Sequence, residues 1–181
     1  MRYVIVCNLN GDVVKYHKQL VNEIAKNFNI AKPKKQNLQP HFTLKYGFET
    51  NNIKTIEKAI KDFCARNHKA SVKINGFGKF RKDVIFCKVI LSKKAYAIFT
   101  ELLNDLKKIP KLTWNKNDGK RLKFHATIAA DCEDKYTEIQ KYLKGKEKNF
   151  TTYFDNITIL QQQRIVDGIS IWKTFKKFQI K

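Results

Sequence analysis

Apolar residues along the chain recur at two spacings, one suited to strands and one to helices. Tyr3 to Leu9 is a short aliphatic run that suits a buried strand, and Val13 to Phe28 then places Val13, Val14, Leu20, Val21, Ile24 and Phe28 at helical spacing. A basic loop, AKPKKQNLQP, ends at Pro40, and His41 to Phe48 follows as a strand closed by Gly47 and the polar pair Asn51-Asn52. Ile53 to Cys64 returns to helical spacing, with Ile53, Ile56, Ile60 and Phe63 on one stripe. Two strands, Ala70 to Phe77 and Val84 to Leu91, flank the turn segment GKFRKD, and Ala95 to Leu106 predicts a helix with Ile98, Phe99, Leu102 and Leu106 inward. Ile109 to Arg121 has loop composition. Leu122 to Ala130 predicts a strand, Asp134 to Leu143 a short helix, and Thr152 to Leu160 and Ile169 to Ile180 two closing strands separated by QQQRIVDG. Strands that come in hairpin-like neighbours between helices predict an α+β domain with antiparallel sheets.

One small pattern occurs twice within these predicted strands. Residues 41 to 44 read HFTL and residues 125 to 128 read HATI, so two of only four histidines open the sequence His, any residue, Thr, aliphatic. Side chains alternate along a strand. His41, Thr43 and Lys45 are therefore expected on one face, opposite Phe42, Leu44, Tyr46 and Phe48, while Lys123, His125 and Thr127 oppose Phe124, Ala126 and Ile128. Each strand would bury its aromatic and aliphatic face and present an imidazole, a hydroxyl and a lysine.

That set of groups suits cleavage of a phosphodiester. One group must take a proton from the attacking oxygen, another must give one to the leaving oxygen, and donors must hold the non-bridging oxygens. Two imidazoles near their ordinary pKa of about 6.5 can divide the first two tasks. A single His-X-Thr in a strand is commonly a structural histidine, and it is the pairing that points to function. Lys45 and Lys123 read either as phosphate contacts or as solvated strand residues, and His17 and His68 as surface or helix-end histidines.

Charge sharpens the picture. Lys and Arg number 37 against 16 Asp and Glu, a net charge of +21, and this excess points to a polyanionic partner, nucleic acid first. Cys7, Cys64, Cys87 and Cys132 form no CxxC pair and have no histidine at metal-ligand spacing, so reduced core thiols are expected rather than a zinc site or a disulfide framework. With no apolar run near the roughly 20 residues that span a bilayer and no signal-peptide pattern at the start, the chain reads as a soluble, cytoplasmic protein. GFG at 76 to 78 lacks the Lys-Ser/Thr and the strand-to-helix setting of a phosphate loop, which disfavours nucleoside triphosphate chemistry.

The residues resemble the two-histidine phosphoesterases, and within them the branch of 2′-5′ RNA ligases and RNA 2′,3′-cyclic phosphodiesterases. HFTLKYGF at 41 to 48 and FHATIAA at 124 to 130 carry the resemblance, and MRYVIVCNL, ITILQQQ and ISIWKTFKKFQI extend it over essentially the whole chain. It implies a single two-lobed, pseudo-symmetric domain over residues 1–181, compatible with lobes interleaved in sequence, whose antiparallel sheets line a central cleft with helices outside. It further implies His41 and His125 as the acid-base pair and Thr43 and Thr127 as phosphate anchors. The reaction implied is metal-independent hydrolysis of a 2′,3′-cyclic phosphate at an RNA end by a monomer without a cofactor. Some members of the branch join or cleave 2′-5′ linkages or act on small cyclic nucleotide derivatives. Many carry an arginine after the second motif, where this chain has Ala129, Ala130 and Asp131, which leaves Lys123, Lys120 or Arg121 as substitutes. Trp114 and Phe48 are candidates for stacking a base near the cleft. A non-catalytic RNA or nucleotide binder is the competing reading, separable by salt-sensitive binding without product.

Overall fold

Eight strands and five helices alternate along the chain in a computed structural model that describes residues 1–119 and 122–181. The strands are β1 (Arg2–Asn8), β2 (His41–Glu49), β3 (Ala70–Phe80), β4 (Val84–Leu91), β5 (His125–Ala130), β6 (Asn149–Phe154), β7 (Asn156–Val166) and β8 (Ile169–Gln179). The helices are α1 (Asp12–Phe28), α2 (Lys32–Gln36), α3 (Ile53–Arg66), α4 (Lys93–Lys107) and α5 (Tyr136–Leu143). Two four-stranded sheets result, in the orders β2-β1-β7-β8 and β5-β4-β3-β6, and every neighbouring pair within them is antiparallel. The first sheet draws its strands from both ends of the chain and the second from the middle. The expected α+β class with antiparallel sheets is the observed one.

The two histidine motifs open β2 and β5, which are edge strands of their respective sheets. The two edges meet through an aromatic contact: Phe42 packs on Phe124 with ring centroids 5.8 Å apart, and Phe124 packs on Phe99 of α4 at 4.8 Å. Helix α1 lies against β5 and β6, α3 against β7 and β8, and α4 against β3 and β4. Each of these helices buries an apolar stripe, for example Ile56, Ile60 and Phe63 of α3. Ser92 caps α4 by accepting from the Ala95 N–H at 3.1 Å.

Strand ends differ from the hydropathy pattern, since β3 runs on to Phe80, β5 begins only at His125 and β7 continues to Val166 through most of QQQRIVDG, and two further departures change the architecture. The basic segment expected as a loop contains α2, started by Pro33 near its N-terminus and stopped by Asn37 in the left-handed conformation. This short helix touches both β5 and β8, so it bridges the two sheets. The stretch expected as one strand from Thr152 is two, β6 and β7, which separate at Asp155 and join different sheets. Asp155 accepts hydrogen bonds from the side-chain amides of Asn10 and Asn156, which fixes the chain where it changes sheet. The cysteines are free and buried, and among the described residues no helix is long and apolar enough to cross a membrane.

Candidate active site

Both motif strands have the same local irregularity. In β2, Val6 pairs with Thr43 and Ile5 with Lys45, so Leu44 is an extra residue; in β5, Phe86 pairs with Thr127 and Ile85 with Ala129, so Ile128 is extra. A bulge of this kind puts two consecutive residues on the core side and returns the next to the other face. The burial sequence is accordingly identical in the two strands from the histidine onward: half-buried, buried, half-buried, buried, buried, half-buried. His41, Thr43 and Tyr46 face one way in β2, and His125, Thr127 and Ala130 in β5, and all six line a single cavity of about 580 Å³.

The bulge corrects the expectation for Lys45. It shares no face with His41 and Thr43; its side chain is fully buried, with Nζ donating to the Thr113 carbonyl at 2.7 Å and paired with Asp118 at 3.1 Å. Asp118 also accepts the Tyr46 N–H at 2.8 Å and the Asn115 N–H at 2.7 Å, so this ion pair ties the 113–119 loop to β2. Burial holds the Lys45 ammonium below the usual lysine range, opposed by the Asp118 carboxylate. Trp114 lies over the Lys45 ammonium at 4.6 Å and Phe48 is a core side chain in contact with Tyr3, so neither lines the cavity. Lys123 is exposed and lies outside the cavity lining, and it contributes through its carbonyl. Lys120 and Arg121 lie outside the described residues.

The two imidazoles are held alike. His41 Nδ1 lies 2.8 Å from the Gln39 carbonyl and His125 Nδ1 lies 2.6 Å from the Lys123 carbonyl, in each case the residue two positions before. A carbonyl only accepts, so Nδ1 carries the proton and the Nε2 lone pair remains for chemistry. Gln39 is anchored in turn, its amide donating to the Leu9 carbonyl at 3.2 Å while the Leu9 N–H donates to Pro40 at 2.7 Å. His125 rests against Phe80 and Phe86, with centroids 4.7 and 5.1 Å away. The Phe86 ring occupies the space a Cβ on Gly78 would fill, at 2.4 Å, so that glycine is required for the aromatic seat. Desolvation draws both histidines below the ordinary imidazole value, and the nearness of His125 lowers His41 further, while each carbonyl partner opposes the shift.

Around this pair the lining is basic. Arg2 of β1, Lys18 of α1, and Lys32 and Lys34 of α2 line the cavity with no Asp or Glu among its described lining residues. Gly47 leaves room for the Arg2 guanidinium, which a Cβ there would meet at 3.1 Å. Trp172 of β8 and Phe80 of β3 supply the aromatic surface. Hydropathy spacing missed these two, because nothing in a strand's own sequence shows which cavity its aromatic side chains will line. His17 was also missed as a cleft residue: it is buried rather than superficial. Its position between Val13 and Leu20 on the apolar stripe of α1 was the available signal. Among the described residues, no three His, Cys, Asp or Glu side chains are grouped closely enough to hold a metal ion.

Two antiparallel sheets meeting at edges that each present His-X-Thr to one cleft define the two-histidine phosphoesterase fold. The chain belongs to the 2′-5′ RNA ligase superfamily, whose family model matches residues 17–165. Among solved structures it is similar to TT0787 of Thermus thermophilus, with a TM-score of 0.66 at 15% identity over 99% of this chain and 98% of that one. E. coli LigT complexed with 3′-AMP gives a TM-score of 0.57 at 14% identity, over 99% and 97% of the two chains. Usb1 of Kluyveromyces marxianus gives 0.51 at 12%, over 96% and 98%. At these identities the likeness is one of fold. No curated protein matches the sequence.

Proposed function

We propose that this protein is a metal-independent phosphodiesterase that opens the 2′,3′-cyclic phosphate at an RNA end, with His41 and His125 as its acid-base pair. The observation that carries the reading is the mirrored holding of the two imidazoles, each with Nδ1–H donated to a carbonyl two residues before and Nε2 left free at one basic cavity. One neutral Nε2 takes a proton from water as its oxygen attacks phosphorus. The P–O3′ bond breaks, and the other, protonated imidazole gives its proton to the leaving 3′ oxygen, leaving a 2′-phosphate and a 3′-hydroxyl. Thr43 and Thr127 donate to the non-bridging oxygens, and Arg2, Lys18 and Lys34 supply the positive charge that gathers there, while Lys32 is paired with Asp131 at 2.7 Å. A 5′-hydroxyl in place of water would run the same geometry as 2′-5′ ligation.

The cavity volume suits a nucleotide. Trp172 and Phe80 offer surfaces for its base. The test is turnover of an RNA oligonucleotide ending in a 2′,3′-cyclic phosphate with EDTA present. Conversion to the 2′-phosphate is expected, with a loss of about 10²–10⁴-fold in kcat for His41→Ala and for His125→Ala. Tight, salt-sensitive RNA binding with no product would mark a binder instead.

A further inference from the structure

The sheet that carries His125 buries only one of its faces. Val72 and Ile74 of β3 and Cys87 and Val89 of β4 are buried, whereas the positions that alternate with them, Lys73, Lys88 and Ile90, are exposed. Thr151 and Tyr153 of β6 are exposed in the same way. Register identifies the open face. Directly opposite residues of an antiparallel pair point to the same side. Lys88 is opposite His125, Lys73 is opposite both Ile90 and Thr151, and Ser71 is opposite Tyr153. The open face is therefore the continuation, beyond Lys88, of the face that presents His125 and Thr127 to the cleft.

An open face is ordinary for an antiparallel sheet, but the composition of this one is one-sided. Strands β3, β4, β5 and β6 contain no Asp or Glu. Among the described residues, Lys69, Lys73 and Lys88 take part in no ion pair. Between these cations, Ile90 is 48% and Tyr153 46% exposed, and the Lys69 ammonium lies 5.5 Å from the centre of the Tyr153 ring. Free cations beside exposed apolar and aromatic side chains suit a polyanion that carries flat apolar groups of its own, which is the make-up of single-stranded nucleic acid. With strands about 4.8 Å apart and a rise of about 3.3 Å per residue, Tyr153 is roughly 20 Å from His125, within the span of a short stretch of RNA.

We propose that the nucleotides preceding the reacting end lie across this sheet face, with Lys88 and Lys73 on their phosphates and Ile90 and Tyr153 against their bases. The inference rests on the proposed reaction at an RNA end and names where the rest of that RNA is held. Stacking and charge make the track tolerant of sequence.

Equilibrium binding of an RNA of about eight nucleotides ending in a 2′-phosphate, beside adenosine 2′-phosphate alone, tests the inference without requiring turnover. The double variant Lys73→Ala/Lys88→Ala should flatten the slope of log Kd against log salt for the RNA by roughly 1.4, the value for two single-strand phosphates. Tyr153→Ala should weaken RNA binding about five- to tenfold. The mononucleotide does not reach Tyr153 and should lose far less. A control, Lys54→Ala/Lys61→Ala, removes the same charge from exposed positions of α3 and should leave the slope unchanged. All the substituted side chains are exposed, and melting curves report folding. Unchanged RNA affinity and slope in the sheet variants would overturn the inference, as would an equal loss on RNA and mononucleotide, or a control that loses as much. RNA binding retained while affinity for anionic phospholipid vesicles is lost would give the face to a membrane instead. Turnover is scored separately: RNA held on the sheet with no opening of the cyclic phosphate would remove the proposed activity and leave the track standing, and turnover indifferent to the sheet variants would do the reverse.

Discussion

Three of the four histidines share one cleft, and their surroundings set one apart from the other two. His41 and His125 are half-buried, with Nδ1 engaged and Nε2 free, whereas His17 is buried with both nitrogens unpaired. Since both members of the pair lie below the ordinary histidine value in the free protein, kcat/KM for a cyclic end should peak on the acid side of about 6.5. It should fall as pH rises, because the proton donor empties. A maximum near pH 8 would contradict that assignment. His17 affects stability as well. Its folded pKa lies below its unfolded value, so the unfolded chain binds more protons between about pH 6.5 and 4 and stability falls as pH is lowered through that window. The loss attributable to this group is on the order of 3 kcal/mol. Urea titrations at pH 7 and 4.5 should show a smaller difference for His17→Gln than for wild type. The His-X-Thr pairs were legible in the sequence because rare residues recur in one pattern. His17 was not, because an amphipathic stripe shows that a residue is buried without showing whether it faces core or cleft.

Strand irregularity decides which neighbours join those histidines. Alternation held from His41 to Thr43 and from His125 to Thr127, and then a bulge in each strand added one residue and reversed the remainder. No residue type marks a bulge, so Lys45 was expected in the cleft and Tyr46 in the core, the reverse of what is found. The buried Lys45–Asp118 pair now holds β2 to the loop before β5. Asp118→Ala should cost about 3–5 kcal/mol by leaving an ammonium buried without its partner and freeing the Tyr46 N–H, measured by denaturant unfolding. A loss below 1 kcal/mol would contradict this role. Gly78→Ala acts on the other strand. A Cβ there forces the Phe86 ring to shift, and His125 rests on that ring, so kcat should fall by more than KM changes.

At the scale of the molecule, the fold class was legible from spacing, while the route of the chain between sheets was not. Nothing in the run from Thr152 to Leu160 shows that it changes sheets at Asp155. Charge was legible as a total of +21, but its use depends on α2, which bridges the two sheets and carries Lys34 to the cleft wall beside Lys32, itself paired with Asp131. Lys34→Ala should raise KM for an oligonucleotide substrate more than for a mononucleotide cyclic phosphate. It should also flatten the dependence of log KM on log salt by somewhat less than one, as loss of one phosphate contact does. An equal rise for both substrates would place Lys34 at the reacting phosphate instead.

The central claim is that the two edge strands form one acid-base unit. It is tested most directly by kcat on a cyclic-phosphate RNA end for His41→Ala, His125→Ala and the double variant. Groups that act together are strongly non-additive: each single variant is expected to lose about 10²–10⁴-fold, and the double variant little more than the worse of the two. Retention of the wild-type rate by either single variant, or losses that multiply in the double, would contradict it.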